Sequence, residues 1–257
     1  MPTEPEMPTR RLGRSGLMVP RLGLGTYFFG PGRADLTPRQ AARLLHEALA
    51  HGVTFWDTSD DYETQPHVAE GLRGAPRERI LVCTKTYAGT ALGARRAVTR
   101  ALRELRTDCV DVFLLHYVQS LDELEAKHGA LKGLQEMKRR GWVRAVGLST
   151  HRPDVLARAA RFPEVEVVMA PLNAAGHYIE DGGPEGMFRA AAACHRAGKG
   201  VIAIKVLGGG EIARAHRPAA LARALRLRIA DCICVGVADR PELAANLSVL
   251  HRTRKPT

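Results

Sequence analysis

Val53-Thr54-Phe55-Trp56-Asp57, Ile80-Leu81-Val82-Cys83-Thr84-Lys85 and Val110-Asp111-Val112-Phe113-Leu114-Leu115-His116 are apolar runs that each end on an ionisable side chain. Runs this short and this continuously apolar read as strands buried on both faces, the habit of a parallel sheet. Five more of the same character lie outward from them, at 21–26, 143–149, 165–170, 200–205 and 231–236. Helical patterns fill the intervals, at 37–51, 65–73, 91–105, 121–140, 152–161, 184–198, 218–226 and 240–251. Their apolar positions recur at helical spacing, as Val98, Ala101, Leu102 and Leu105 do. Thr37-Pro38 and Asp239-Arg240-Pro241 suit helix starts, with an oxygen-bearing cap and an early proline. Gly52, Gly141 and Gly198 stand between a helix and the next strand, where a left-handed cap belongs. Eight strands alternating with eight helices predict one closed (β/α)8 barrel, class α/β, over 1–257, with 1–9 as a flexible extension.

Composition agrees. At 257 residues the chain has the size of one such barrel, which takes about 250. No apolar stretch approaches the ~20 residues that span a bilayer, and Met1–Arg14 carries no apolar secretory core. Cys83, Cys109, Cys194, Cys232 and Cys234 are odd in number and lack a framework spacing, so reduced thiols in a cytoplasmic protein are expected. In a strand Cys232 and Cys234 share one face, as a metal or redox pair or as small buried hydrophobes, and burial is the expectation. The net charge of +11 admits nucleic-acid binding. Its arginines, such as Arg95, Arg96, Arg100, Arg103 and Arg106, are nevertheless spread along helical stretches without interleaved aromatics. A solvated surface, or attraction of an anionic cofactor, is expected instead.

In barrels of this kind the chemistry sits at the C-terminal ends of the strands. Asp57, Lys85 and His116 end three consecutive strands there, and Tyr62 lies on the loop after the first of them. Any one alone suits a structural ion pair or a rim residue; together at one mouth they suit catalysis. A free phenol titrates near pH 10 and donates poorly at neutrality. An ammonium beside it favours phenolate and lowers that value. In this reading Asp57 holds Lys85 charged, Tyr62 gives the proton, and neutral His116 donates a hydrogen bond to a substrate carbonyl oxygen. Such a carbonyl needs a nucleophile, yet no Ser or Cys stands beside an evident base and no metal-ligand spacing appears. Hydride from a nicotinamide is the natural supply.

Other features have two readings each. Gly208-Gly209-Gly210 before Glu211 can cradle phosphate through backbone N–H groups or form a flexible turn. Tyr27, Phe28 and Phe29 are expected to wall a substrate pocket; Trp56 and Tyr87 either join them or pack. His151 and His177 suit surface loops better than a metal pair.

At these same residues the chain resembles the aldo-keto reductases along nearly its whole length. Arg11-Leu12-Gly13-Arg14-Ser15-Gly16-Leu17 and Leu22-Gly23-Leu24-Gly25-Thr26 resemble that family's N-terminal β-hairpin and first barrel strand. Asp57-Thr58-Ser59-Asp60-Asp61-Tyr62 resembles its Asp-Thr-small-x-x-Tyr motif, and Lys85, Asp111–His116 and Val146-Gly147-Leu148-Ser149 resemble three further segments. The resemblance implies catalytic Asp57, Tyr62, Lys85 and His116, and an NADH or NADPH cofactor laid across the strand ends. It places Gly25, Thr26, Asp57, Ser149, Thr150, Lys205, Leu207, Gly208, Gly209 and Asn246 at that cofactor, with no metal.

The departures fall on the cofactor side. Thr150 replaces a usual Asn, Met169 a Gln, Ile204 an aromatic, Glu242 an Arg or Gln and Ala245 a Glu, while Glu63 replaces the glycine after the tyrosine. A carboxylate at Glu242 repels a 2′-phosphate, so little preference for NADPH is expected. The segments 147–151 and 203–210 look closer to a divergent branch, some of whose members carry an iron–sulfur module after the barrel; none is read here. An open pocket is therefore expected. The implied activity is reduction of aldehydes or ketones to alcohols, or the reverse. The alternative is a catalytically weak barrel that binds a nucleotide or protein partner.

Overall fold

The apolar runs pair edge to edge around a closed ring, and alternation along them decides which side chains meet inside. The structure, a computed structural model, describes residues 7–254. Strands β1 (Thr9–Arg11) and β2 (Met18–Pro20) form an antiparallel hairpin. Eight parallel strands follow: β3 (Leu22–Gly25), β4 (Phe55–Asp57), β5 (Leu81–Thr86), β6 (Val110–Leu115), β7 (Val143–Ser149), β8 (Val167–Pro171), β9 (Gly200–Ile204) and β10 (Cys232–Gly236). They close in chain order, with β10 returning to β3. This is the (β/α)8 barrel the sequence predicts. Residues 1–6 of the expected extension lie outside the described residues, and Thr9 already belongs to β1.

Helices alternate with the strands: α1 (Pro38–Ala50), α2 (Gln65–Leu72), α3 (Ala91–Leu105), α4 (Leu121–Ala126), α5 (His128–Arg139), α6 (Pro153–Ala159), α7 (Gly183–Arg196), α8 (Arg217–Leu225) and α9 (Arg240–Arg254). Thr37 caps α1 by accepting from Gln40 N, and Gln40 returns a bond to the Thr37 backbone N–H. The single helix expected over 121–140 is two, because Lys127 leaves helical geometry at φ −83°, ψ 4°. The apolar periodicity runs through that junction, so spacing gives no sign of the break.

Two apolar layers result. Alternate strand residues such as Phe55, Cys83, Val112, Leu114, Ile202 and Cys232 fill the barrel interior. The other set, including Trp56, Val82, Phe113 and Val146, packs outward against the helices. Period two therefore carries Asp57, Lys85 and His116 inward, each two places beyond an interior residue: Phe55, Cys83 and Leu114.

The opposite mouth is sealed. Leu12, Leu17 and Val19 of the hairpin are buried in the interior cluster. Its turn lies so flat on β9 that a Cβ on Gly13, at φ +51°, would come 2.2 Å from Gly200 N. Acids beside the strand starts tie the sheet together there. Val82 N donates to Asp111 Oδ2 (2.9 Å), Val146 N to Glu166 Oε2 (3.1 Å) and Val201 N to Asp231 Oδ2 (2.9 Å). Asp111 also accepts from Arg77 Nη2 at 2.9 Å and Arg144 Nη1 at 2.8 Å. The aspartate of the Asp111–His116 segment is thus a structural anchor, at the far end of its strand from the histidine.

Replacing Asp111 by alanine leaves the buried Val82 N–H without its side-chain acceptor and removes the carboxylate that pairs with Arg77 and Arg144. The expected loss is about 2–4 kcal/mol of unfolding free energy. Urea denaturation checks it, and an unshifted midpoint would reject the anchoring role.

Candidate active site

Four side chains from β4, β5, the end of β6 and the β4–α2 loop meet at the open mouth. Lys85 Nζ lies 2.7 Å from Asp57 Oδ1, and donates to Asp57 Oδ2 at 2.9 Å and to Thr58 O at 2.7 Å. The lysine side chain is 1% exposed. Burial is the largest influence and works against its charge, but Asp57, Tyr62 and Cys83 together outweigh burial and hold the ammonium above the usual lysine range. Lys85 Nζ also sits 4.7 Å from the Tyr62 ring centroid.

The Tyr62 phenol is shifted opposite to the sequence expectation. Burial pushes it above the usual tyrosine range; Lys85 pulls it down, while Asp57 and Asp61 add to the rise. The lysine does what was anticipated and desolvation exceeds it. The ring is fixed edge-on between Tyr27 (centroids 5.0 Å) and His116 (5.6 Å). Directly after it, Glu63 holds φ +59°, a conformation that costs a non-glycine residue about 1–2 kcal/mol. This is the backbone reason a glycine suits that position. His116 Nδ1 lies 3.0 Å from Ser59 Oγ and 3.1 Å from Asp61 Oδ1, and its ring packs against Tyr87 at 4.7 Å. Burial holds the imidazole below its usual range, with Asp61 opposing.

From this cluster a cavity of ≈ 500 Å³ runs along the strand ends to the start of α9. Gly25, Asp57, Lys205, Leu207, Gly209 and Asn246, six of the residues the family resemblance places at a cofactor, line it, and Tyr62 stands at its inner end. Four other anticipated contacts are not among the lining residues. Thr26 Oγ1 is engaged with Asp57 O and Thr64 Oγ1, and Thr150 Oγ1 donates to Val118 O at 2.6 Å. Ser149 Oγ accepts from Tyr117 N at 2.9 Å, and Gly208 packs under His177. Gly208, Gly209 and Gly210 all have positive φ (63°, 64° and 109°), and a Cβ on Gly209 would strike the Tyr178 ring at 2.4 Å. Lys205 Nζ rests 5.1 Å over the Tyr27 ring and 4.8 Å over Tyr178, its charge disfavoured by burial and by Lys85.

Sequence reasoning missed the two arginines of the channel, Arg214 and Arg217. They follow a glycine turn without any motif, and only the folding back of that segment shows them. Glu242 is restrained at the same end: its Oε2 accepts from Ala238 N at 2.9 Å, and Oε1 lies 3.7 Å from Arg217 Nη1. Arg240 turns away to Glu47, 2.5 Å distant. Tyr27 and Phe28 wall the cavity as anticipated. Phe29 and Trp56 are fully buried packing residues instead. Cys83, Cys232 and Cys234 share the interior layer. Asp60, Asp61 and His116 bring their ligand atoms within 4.8 Å of one another, but Asp60 is spent on Arg100 at 3.1 Å. No helix among the described residues is long and apolar enough to cross a membrane.

Known proteins resemble this arrangement. A soybean (Glycine max) protein named Probable aldo-keto reductase 1 is 26% identical over 81% of this chain and 62% of its own length. The 6-dehydroglucose reductase of Novosphingobium aromaticivorans is 30% identical over 60% of this chain and 55% of its own. The chain thus spans between half and two thirds of these curated relatives. Among solved structures, PA4992 of Pseudomonas aeruginosa, itself a candidate aldo-keto reductase, superposes with a TM-score of 0.81 at 28% identity, over 96% of each chain. The holo form of AKR11C1 from Bacillus halodurans shares the fold at a TM-score of 0.79, 21% identity, and 95% and 91% coverage. The sequence profile of the Aldo/keto reductase family matches residues 21–227, and with the barrel and its mouth it establishes that this chain belongs to that family.

Proposed function

We propose that the protein interconverts aldehydes or ketones and alcohols, with NADH or NADPH held in the long channel and Tyr62 as the proton donor. The observation that carries this reading is the buried Lys85–Asp57 ion pair set against the Tyr62 ring at the inner end of the channel. The channel suits an extended dinucleotide. Its inner end is closed by Tyr62 and Met169, Gly209 and Gly210 line it midway, and Arg214 and Arg217 bring positive charge to the outer end. When bound there, the dinucleotide supplies or takes up the hydride. That the Novosphingobium relative is named as a reductase of 6-dehydroglucose supports carbonyl reduction as the class.

The residues divide the work as follows. Tyr62, protonated at neutrality, donates to the substrate oxygen, which becomes a hydroxyl as hydride reaches the carbonyl carbon. The phenolate left behind is stabilised by the Lys85 ammonium, whose own charge Asp57 and Thr58 O maintain. Burial of Lys85, Asp57 and Thr58 beneath the half-buried Tyr62 keeps water from screening that interaction. Thr150, tied to Val118 O, is withheld from the cofactor; this favours the second reading, a barrel that binds nucleotide with little turnover.

Tyr62→Phe is expected to lower kcat by about 10²–10⁴-fold while the fluorescence-measured cofactor Kd stays within about twofold. An unchanged kcat would remove Tyr62 from the reaction, and tight nucleotide binding with no wild-type turnover on an aldehyde panel would establish the second reading. Because burial raises the phenol's pKa, the donor stays loaded to well above neutrality. Reduction should show no fall from Tyr62 deprotonation up to about pH 9, whereas alcohol oxidation, which needs the phenolate, should rise with pH over the same span. At the outer end two carboxylates, Asp239 and Glu242, accompany two arginines, so NADH and NADPH should bind within about tenfold of each other. Arg217→Ala, which frees Glu242, should weaken NADPH more than NADH. A preference for NADPH beyond about a hundredfold in wild type would overturn this account of the adenosine end.

A further inference from the structure

The net charge of +11 does not collect at the channel, where Arg214 and Arg217 stand beside Asp239 and Glu242. It collects at the sealed end. Because the barrel strands are parallel, the helices between them all finish on the face that the hairpin covers. Arg11 and Arg14 of the hairpin, Arg106 and Arg140 at the ends of α3 and α5, and Arg161 and Arg228 on the segments leading into β8 and β10 are exposed there. None of the six has an ion pair among the described residues. Glu166 and Asp231 at this end are committed to Val146 N and Val201 N, and Asp111 to Arg77 and Arg144. Glu78, Glu104 and Asp108 are too few to balance the arginines. Helix dipoles favour cations at helix C-termini, which accounts for Arg106 and Arg140 but not for Arg11, Arg14, Arg161 or Arg228, which lie outside any last turn. Two large apolar side chains are exposed among these cations. Met18, 52% exposed, lies opposite Arg11 across the hairpin. Trp142, 37% exposed, directly precedes β7, with the Arg140 guanidinium 5.9 Å from its ring.

We propose that the sealed end of the barrel is a docking face for an anionic lipid surface, with the arginines on the headgroups and Trp142 and Met18 at the interface. Each arginine held near an anionic leaflet strengthens attachment about fivefold, and an indole prefers the level of the headgroups. Shape favours lipid over nucleic acid. The hairpin lies flat, with the Gly13 turn pressed on Gly200, and offers no projecting element to enter a groove. A face with cations spread around its rim apposes a bilayer instead. The contact is peripheral and needs no spanning helix. Docked this way, the open mouth points away from the lipid and the channel stays open to solvent. The inference is independent of the proposed reductase reading, since none of these residues lines the channel.

Co-sedimentation of the whole protein with phosphatidylcholine vesicles, with and without phosphatidylserine, measures the partition. Binding is expected to the phosphatidylserine vesicles alone, and should weaken as salt rises. Arg139→Ala with Arg140→Ala, two exposed neighbours at the end of α5, should lower the partition coefficient by about tenfold or more. Arg39→Ala with Arg43→Ala removes the same charge from the exposed face of α1 and should leave it within about twofold. Tryptophan emission reports which face is docked. The chain has two tryptophans and Trp56 is fully buried, so a blue shift on vesicle binding should come from Trp142 and vanish in Trp142→Phe. No partition to anionic vesicles, equal losses in the two double variants, or partition without an emission shift would each overturn the proposal. Tight, salt-sensitive binding to duplex DNA without partition to vesicles would assign the face to nucleic acid and overturn it as well.

Discussion

The ammonium of Lys85, buried inside a barrel, is the constraint around which the mouth is organised. Taking such a group out of water costs several kcal/mol and is tolerated only where partners replace the lost hydration. Asp57 and Thr58 O replace it, and the Tyr62 ring covers the remaining side. Strand register makes this possible. Asp57 pairs with Cys83 on the neighbouring strand, and Lys85 lies two residues further along on the same inward face. A one-residue slip would turn Lys85 out among the helices and leave the Asp57 carboxylate buried alone. Register and ion pair therefore enforce one another.

The two ends of the barrel are built for different purposes. The hairpin plug and the strand-start acids hold one end shut with apolar contact and saturated hydrogen bonding. The other end carries non-glycine residues in left-handed backbone: Glu63, Tyr117, Tyr178 and Lys205, at φ 59°, 50°, 60° and 53°. Each sits on a loop or turn just past a strand, where such conformations cost about 1–3 kcal/mol and persist because their surroundings over-determine them. Tyr178 shows how: its ring lies against Gly209, under Lys205 Nζ and edge-on to His151. Glu180 of the same loop bonds the Tyr117 hydroxyl, so the β8–α7 connection is strapped across the mouth.

Much of the site was legible because period-two alternation is a local property. An ionisable residue two places beyond an interior hydrophobe must point inward, and that rule alone gathers Asp57, Lys85 and His116. Hydroxyl-bearing residues were less legible. Thr26 and Thr150 satisfy neighbouring backbone instead of facing the channel, and which acceptor lies within reach depends on segments 31 and 32 residues away. Arg214 and Arg217 were invisible for the same reason: nothing local says that a turn after β9 folds back over the barrel.

What the sequence by itself determined is the barrel, its closure and the identity of the groups at its mouth, since each follows from apolar periodicity and strand-end chemistry. What only the tertiary structure decided is the balance of forces on those groups. Whether Tyr62 is more or less acidic than free tyrosine depends on how much protein surrounds it as well as on the lysine beside it, and burial won. Likewise Asp61 and His116 are 55 places apart in the chain, and only the fold brings them to 3.1 Å of one another. Desolvation and hydrogen-bond direction are set by every atom within a few ångströms, and a linear sequence does not specify that neighbourhood.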